Sequence, residues 1–172
     1  MTRKFWIEDI NCWNGFSYLR LKGVPMKRSK SGGVIDFEER RLEKLIAAAI
    51  LKNQVPIRGK ELQLLRRATG LSLEKFGRPL GVSYGTIYYW EKAQKKQLTP
   101  INEIAVRLLC AEEMGFDLNG RFSDLIGDER HEPIEVTVTS RKPTPKETKS
   151  KVKMMSRPSY RGHRMIAVKD ES

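Results

Sequence analysis

Few residues of the kind that carry catalytic or metal chemistry occur in this sequence. Its two cysteines, Cys12 and Cys110, lack the paired CxxC spacing of a zinc site, and so few cysteines are typical of a reducing cytoplasm rather than of a disulfide-stabilised secreted domain. The two histidines, His131 and His163, have no cysteine or carboxylate at catalytic or metal-binding spacing. Because the P-loop, GxSxG and HExxH motifs are missing as well, we predict no enzymatic activity, no metal and no cofactor.

Long apolar runs are also missing. No stretch approaches the roughly 18 apolar residues of a membrane-spanning helix. The start of the chain contains acidic side chains and no long apolar segment, which argues against a secretory signal peptide. We therefore expect a cytoplasmic protein without a membrane partner.

Positive charge, by contrast, is in excess. Lys and Arg number 33 against 21 Asp and Glu, a formal net charge of +12, which favours a polyanionic partner such as nucleic acid. Residues 56–98 carry nine basic and three acidic side chains, whereas residues 99–132 carry three basic and eight acidic ones. We expect the basic segment to face double-stranded DNA and the acidic segment to face away from it.

The pattern of residues 71–92 predicts two short helices joined by a tight turn. Ser72 and Ser83 suit N-cap positions, because a serine hydroxyl can accept a hydrogen bond from an amide two or three residues further on. Gly81 can adopt the left-handed conformation that ends a helix. The apolar residues at helical spacing are Leu73, Phe76, Leu80, Ile87 and Trp90. Two helices connected in this way form a helix-turn-helix, whose second helix enters the major groove of DNA.

This segment resembles the helix-turn-helix of the Cro/CI, or Xre, family of bacterial and phage regulators. The matching positions are Leu71, Ser72, Gly77, Leu80, Gly81, Val82, Ser83, Thr86, Ile87, Trp90 and Glu91. The resemblance covers roughly residues 56–115 and implies a bundle of four or five helices. Two positions depart from the family pattern: Pro79 should end the first helix of the motif early, and Leu73 stands where the family often has a glutamine that contacts DNA.

The resemblance also implies roles for individual side chains. The residues expected to contact base edges are Tyr84, Gly85, Thr86 and Tyr89, at the outward start of the second helix. Those expected to contact phosphates are Ser72, Lys75, Ser83, Lys92, Lys95 and Lys96, with Arg67 as a further candidate. Arg66 and Glu91 are expected to form a partly buried ion pair. Alternatively, the tyrosines only coat the surface and the lysines form a solvated face.

Apolar patterns outside this motif predict further elements. Residues 5–35 suggest a β-hairpin or a three-stranded meander, and their aromatic side chains either form a core or bind a partner. A helix beginning at Thr99 should bury Ile101, Ile104, Ala105, Leu108 and Leu109. A short helix should hold Phe122, Leu125 and Ile126. Residues 134–138 alternate as in a strand, and the Lys-, Pro-, Ser- and Thr-rich chain from Ser140 onward is expected to be disordered.

These patterns predict a mainly α fold in three parts. Residues 1–55 form a small α+β module, residues 56–130 an Xre-type helix-turn-helix bundle of four to five helices, and residues 131–172 a basic, mostly disordered tail. A small module of this kind before such a helix-turn-helix resembles MqsA-like antitoxins. In those proteins the module often binds zinc through paired cysteines, which are missing from this sequence, so zinc is not expected.

The predicted function is sequence-specific DNA binding by a transcriptional regulator that acts as a homodimer, with an antitoxin-like autorepressor as its subclass. A toxin protein is then a possible second partner. Two alternatives stay open at this point. The chain could be a phage or mobile-element repressor without a toxin, or a protein-interaction module that inhibits a partner through its aromatic N-terminal region.

Overall fold

The computed structural model describes residues 5–118, 120–128 and 133–138, which lie within one compact unit. The predicted disordered tail after Ser140 lies outside the described residues. Three strands form the expected antiparallel meander in the order β1-β2-β3. These strands are β1 Phe5–Asn11, β2 Leu19–Ser29 and β3 Gly32–Ile35. Because alternate side chains of β2 point to one face, Leu19, Leu21, Val24 and Met26 are buried there, with Gly23 interrupting the alternation at a positive φ.

A fourth strand, β4 Ile134–Thr137, completes the sheet. It pairs in parallel with the start of β2, from Leu19 opposite Ile134 to Lys22 opposite Thr137. β1 pairs along one edge of β2, so β4 and β3 share the other edge, β4 beside Leu19–Lys22 and β3 beside Met26–Ser29. The predicted strand is therefore present, and it belongs to the sheet formed by the N-terminal strands.

Five α-helices follow β3 and precede β4 in the chain. They are α1 Glu39–Lys52, α2 Gly59–Thr69, α3 Leu73–Gly77, α4 Tyr84–Lys92 and α5 Pro100–Met114. Short 3₁₀ helices span Trp13–Gly15 and Phe122–Leu125, the second where a short helix was expected. Among the described residues, no helix combines the length and apolar character needed to cross a membrane.

The prediction of a mainly α fold is wrong, because the protein is a mixed α/β structure with a four-stranded mixed sheet. The sheet does not form a small appendage ahead of the helices. Since β4 follows α5 and returns to β2, sheet and helices share one hydrophobic core. Leu21 of the sheet, Ile46 of α1, Leu65 of α2 and Ile87 of α4 all belong to that core and are fully buried.

The buried face of α5 matches the predicted one only in part: Ile104 and Leu109 are buried as expected. Ile101 and Leu108 were expected in the core, but they are 64% and 50% exposed. Glu103 and Arg107 occupy the buried face instead, joined by an ion pair of 2.9 Å. Arg107 donates to backbone carbonyls at the end of α1 and in the following loop, and Glu103 accepts from the backbone amides of Ile57 and Gly127. These hydrogen bonds make burial of the charged pair possible.

Candidate nucleic-acid interface

The segment that resembles a helix-turn-helix does form two consecutive capped helices. The Ser72 hydroxyl accepts a hydrogen bond from the amide of Lys75 at the start of α3, and the Ser83 hydroxyl accepts one from the amide of Thr86 at the start of α4. α3 ends at Gly77, two residues before Pro79, which agrees with the expected early end because proline cannot continue the helical hydrogen bonding. Both helices are thus defined by local sequence.

The turn between them is held by a close backbone approach. A β-carbon at Gly77 would lie 2.6 Å from the carbonyl oxygen of Val82, a distance that real β-carbons essentially never reach. Gly81 has φ +68°, the left-handed conformation expected for it. The angle between α3 and α4 therefore depends on a glycine at position 77 for space and on one at position 81 for conformation.

The inward face of α4 is anchored to α2. Ile87 is fully buried in the common core, and Trp90 is partly buried against it. Arg66 and Glu91 lie together as the resemblance implies, joined by two hydrogen bonds of 2.6 Å and 3.1 Å. A third guanidinium hydrogen bond, to the carbonyl oxygen of Leu71, fixes the chain just before α3. This two-point ion pair sets the rotation of α4 about its own axis.

The outward face of α4 is formed by tyrosines. Tyr84 and Tyr89 are 67% and 72% exposed, and Tyr88 is 44% exposed. The rings of Tyr88 and Tyr89 meet edge to face at 5.7 Å, and the ammonium group of Lys92 lies 5.4 Å from the centre of the Tyr88 ring. In the part of the chain that the structure describes, no group hydrogen-bonds to the three hydroxyls. A helix face so rich in unoccupied hydroxyls and aromatic surface is suited to contact a ligand.

Gly85 and Thr86 occupy the first turn of α4 beside the tyrosines. A β-carbon at Gly85 would meet only the Ser83 hydroxyl, at an ordinary 3.6 Å, so the fold itself does not require glycine there. The Thr86 hydroxyl lies 3.1 Å from the Ser83 hydroxyl and shares a hydrogen bond with it. The Thr86 hydroxyl therefore already has one partner within the cap.

Positive charge surrounds this face. Lys75 on α3, Lys92 at the end of α4, and Lys95 and Lys96 just after it are all exposed. Arg78, at the C-cap of α3, is a further exposed cation that the sequence analysis did not name. A basic residue in the turn between the two helices could have indicated it. Arg67, by contrast, forms ion pairs with Glu39 and Glu43 of α1, so its charge is largely compensated within the protein.

Within residues 5–118, 120–128 and 133–138, no three His, Cys, Asp or Glu side chains come together as a potential metal site. Cys12 is exposed, whereas Cys110 is buried, and burial raises the pKa of the Cys110 thiol to about 12. A thiol with that pKa is a poor nucleophile near neutral pH, because the thiolate is the reactive form.

Comparison of the chain with protein-family models, with curated proteins and with solved structures finds no match.

Proposed function

We propose that this protein is a sequence-specific DNA-binding transcriptional regulator that acts as a homodimer in the cytoplasm and reads the major groove with α4. The observation that supports this most directly is the exposed tyrosine face of a helix whose opposite face is fixed by Ile87 and by the Arg66–Glu91 pair. A helix held in this way can present side chains to a rigid ligand at little conformational cost.

The dimensions of α4 suit the groove. A helix with its side chains is about 10–12 Å across, which matches the width of about 12 Å of the major groove of B-DNA. Tyrosine hydroxyls can donate to or accept from base edges, and both the tyrosine rings and the Thr86 methyl group can pack against the methyl group of thymine. Tyr84 and Tyr89, the two most exposed tyrosines, are the base-reading residues in this proposal.

Phosphate contacts would come from the capped ends of the two helices and from the lysines. The Ser72 hydroxyl accepts from a backbone amide, which leaves its proton to donate to a phosphate oxygen. The Ser83 hydroxyl also accepts from an amide and shares a hydrogen bond with Thr86, so its proton is available when the Thr86 hydroxyl is the donor in that bond. Lys75, Lys92 and the pair after α4 add positive charge on the same two helices. Such contacts position the protein on DNA without reading sequence.

Autorepression and a toxin partner remain predictions based on the resemblance to antitoxins. Neither the fold nor the tyrosine face distinguishes an antitoxin from a phage repressor, because both would use the same helix. The proposal therefore commits to DNA reading by α4 and leaves the regulated genes to experiment.

The test is a double substitution of the two most exposed tyrosines. Tyr84→Ala with Tyr89→Ala should abolish the difference in affinity between the preferred site and random DNA, since one good base contact is worth about 1–3 kcal/mol. The melting temperature should stay near that of the wild type because both side chains are exposed. The measurement is a gel shift on the DNA upstream of its own gene and on sites selected from a random library.

Two further variants separate base reading from other effects. Ile101→Ala with Leu108→Ala removes two comparably exposed large side chains from α5 and should leave DNA binding unchanged. Lys95→Ala with Lys96→Ala should weaken binding to every sequence alike and reduce its salt dependence. If the tyrosine variant binds its site with wild-type preference, α4 does not read the bases.

A further inference from the structure

Strand β1 is an open edge of the sheet. Among the described strands it pairs only with β2, so its outer edge offers unpaired amides and carbonyls. Phe5, Trp6 and Ile7 on this strand are 54%, 38% and 74% exposed. Proteins usually protect an edge strand with charged side chains, with proline or with a bulge. In β1 the charges and the bulge come after Ile7, so the apolar start Phe5–Ile7 has none of these devices. An edge of this kind is suited to pair with another strand.

The sequence around β1 indicates which kind of strand could pair with this edge. Two basic residues, Arg3 and Lys4, precede the apolar run Phe5–Ile7, and two acidic residues, Glu8 and Asp9, follow it. When such a segment meets a second copy in antiparallel orientation, each apolar run comes opposite the other, and the basic end of one copy comes opposite Glu8 of the other. The segment is thus complementary to itself in both charge and apolar character.

The regular part of the edge ends at a bulge after Glu8. A register shift against β2 lies between Glu8 and Ile10, where the Asp9 carboxylate accepts hydrogen bonds from the Gly23 amide and the Lys22 ammonium group. Only the residues before this bulge continue straight along the edge. With Trp6 as the midpoint, Phe5 of one copy would face Ile7 of the other.

We propose that β1 is a dimerisation strand, which pairs in antiparallel register with β1 of a second copy of this chain about a two-fold axis at Trp6. The two sheets then form one continuous sheet across the dimer. The interface is isologous, because the same residues contribute from both copies, and backbone hydrogen bonds at the edge add to the apolar contacts.

This inference assigns a surface to the homodimer of the proposed function and rests on it for its biological purpose. Its experiments measure association without DNA. A protein that dimerises through β1 but ignores DNA would refute the proposed function alone, whereas a monomer that reads DNA would refute this inference alone.

The first experiment is a charge swap measured by sedimentation velocity over a range of concentrations of the full chain. Phe5→Glu and Ile7→Lys should each raise the dimer dissociation constant at least about tenfold, because each places a charge opposite an apolar residue in the dimer. The double variant places Glu opposite Lys at both pairs and should dimerise more tightly than either single variant. Circular dichroism should show wild-type folding in all three, since both side chains are mostly exposed.

Matched controls come from two exposed apolar residues on α5. Ile101→Lys and Leu108→Lys on α5 should leave the dissociation constant unchanged. A monomeric wild-type protein at about 100 μM, or a dimer that is lost with the α5 variants and kept with the β1 variants, would overturn the proposal.

A second experiment tests the register. In a Cys12→Ser background, Trp6→Cys should form an intermolecular disulfide on mild oxidation, since a residue on the two-fold axis faces its own copy. Phe5→Cys in the same background should cross-link much less, because it faces Ile7. Cys110 is buried and should not interfere. Equal cross-linking of the two variants, or none, would contradict the proposed register.

Discussion

At the scale of single residues, two arginine–glutamate ion pairs connect distant parts of the chain. One joins two helices, and the other joins α5 to the backbone of loops. Arg66 and Glu91 join α2 to α4, and their side chains are 16% and 7% exposed. Arg107 and Glu103 lie within α5 and are almost completely buried, where they satisfy the backbone of the loop after α1. An apolar side chain in place of one partner would leave backbone groups or the other charge without hydrogen bonds.

Removing one member of the first pair should be costly. Glu91→Ala should lower the free energy of unfolding by about 3 kcal/mol, because the Arg66 guanidinium would remain in a largely buried place without its carboxylate. The double variant Arg66→Leu with Glu91→Leu should lose less than this, since no isolated charge remains. Urea denaturation provides the measurement.

The exposed pair between Lys27 and Asp36 provides the control for this experiment. Lys27→Ala should change the free energy of unfolding by less than about 1 kcal/mol, since solvent already screens the pair. A Glu91→Ala variant as stable as Lys27→Ala would show that the link between α2 and α4 is energetically unimportant.

At the scale of elements, two of the three glycines in the α3–α4 segment, Gly77 and Gly85, have opposite structural demands. Gly77 packs against the backbone at Val82, with no space for a methyl group. Gly85, in the first turn of α4, has space for one and a helical environment in which alanine is preferred. The fold therefore requires glycine at position 77. It does not require glycine at position 85, where we propose that glycine allows DNA to approach α4 closely.

Alanine at these two positions should therefore act in opposite directions. Gly77→Ala should reduce the free energy of unfolding by about 1–3 kcal/mol through steric overlap with the Val82 carbonyl. Gly85→Ala should increase it by up to about 1 kcal/mol and weaken DNA binding, because the added methyl group would lie between the helix and the bases. Thermal denaturation and gel shifts on the same samples test both statements.

The Gly85→Ala result also bears on how α4 lies in the groove. Greater stability combined with unchanged DNA affinity would show that the backbone at Gly85 stays away from the bases. In that case Tyr84 and Tyr89 would reach the DNA from a helix held further out of the groove.

At the scale of the whole molecule, the strand after the last helix decides the architecture. Ile134 and Val136 of β4 are buried and face the same core as α1 and β2. Tyr18, which lies just before β2, donates a hydrogen bond from its hydroxyl to Glu61 of α2. Sheet and helices are therefore linked by apolar packing and by a polar contact, so that a titration in the core should affect the stability of the whole unit.

Alkaline pH should reveal this linkage. The buried Cys110 has its pKa raised from the ordinary 9.0 to about 12, and burial next to Glu61 also raises the pKa of Tyr18. Since the unfolded chain ionises first, stability is fully present below about pH 9 and falls as the pH rises toward 12. Each group contributes a slope of at most about 1.4 kcal/mol per pH unit.

Urea denaturation between about pH 8 and about pH 10.5 tests this statement. Cys110→Ala should start less stable because of the lost packing, and its stability should then fall less steeply with pH than that of the wild type. Parallel curves for the two proteins would mean that the Cys110 thiol ionises in the folded state as easily as in the unfolded one.

Local patterns in the sequence determined the short elements of the helix-turn-helix segment. The caps at Ser72 and Ser83, the left-handed Gly81 and the early end of α3 ahead of Pro79 follow from interactions within a few residues, and all four are present. The end of α2 is local in the same way, because Gly70 adopts the left-handed conformation that ends a helix.

Only the tertiary structure decided the class of the fold and the buried face of α5. The pairing of β4 with β2 joins residues more than a hundred positions apart, and no local pattern contains the choice of partner or its parallel direction. From the sequence alone, Glu103 and Arg107 look like surface residues, because their hydrogen-bond partners lie about fifty positions earlier in the chain. Burial of charge depends on such distant partners, whereas a cap or a turn depends on near neighbours, and this difference separates what the sequence determined from what it left to the fold.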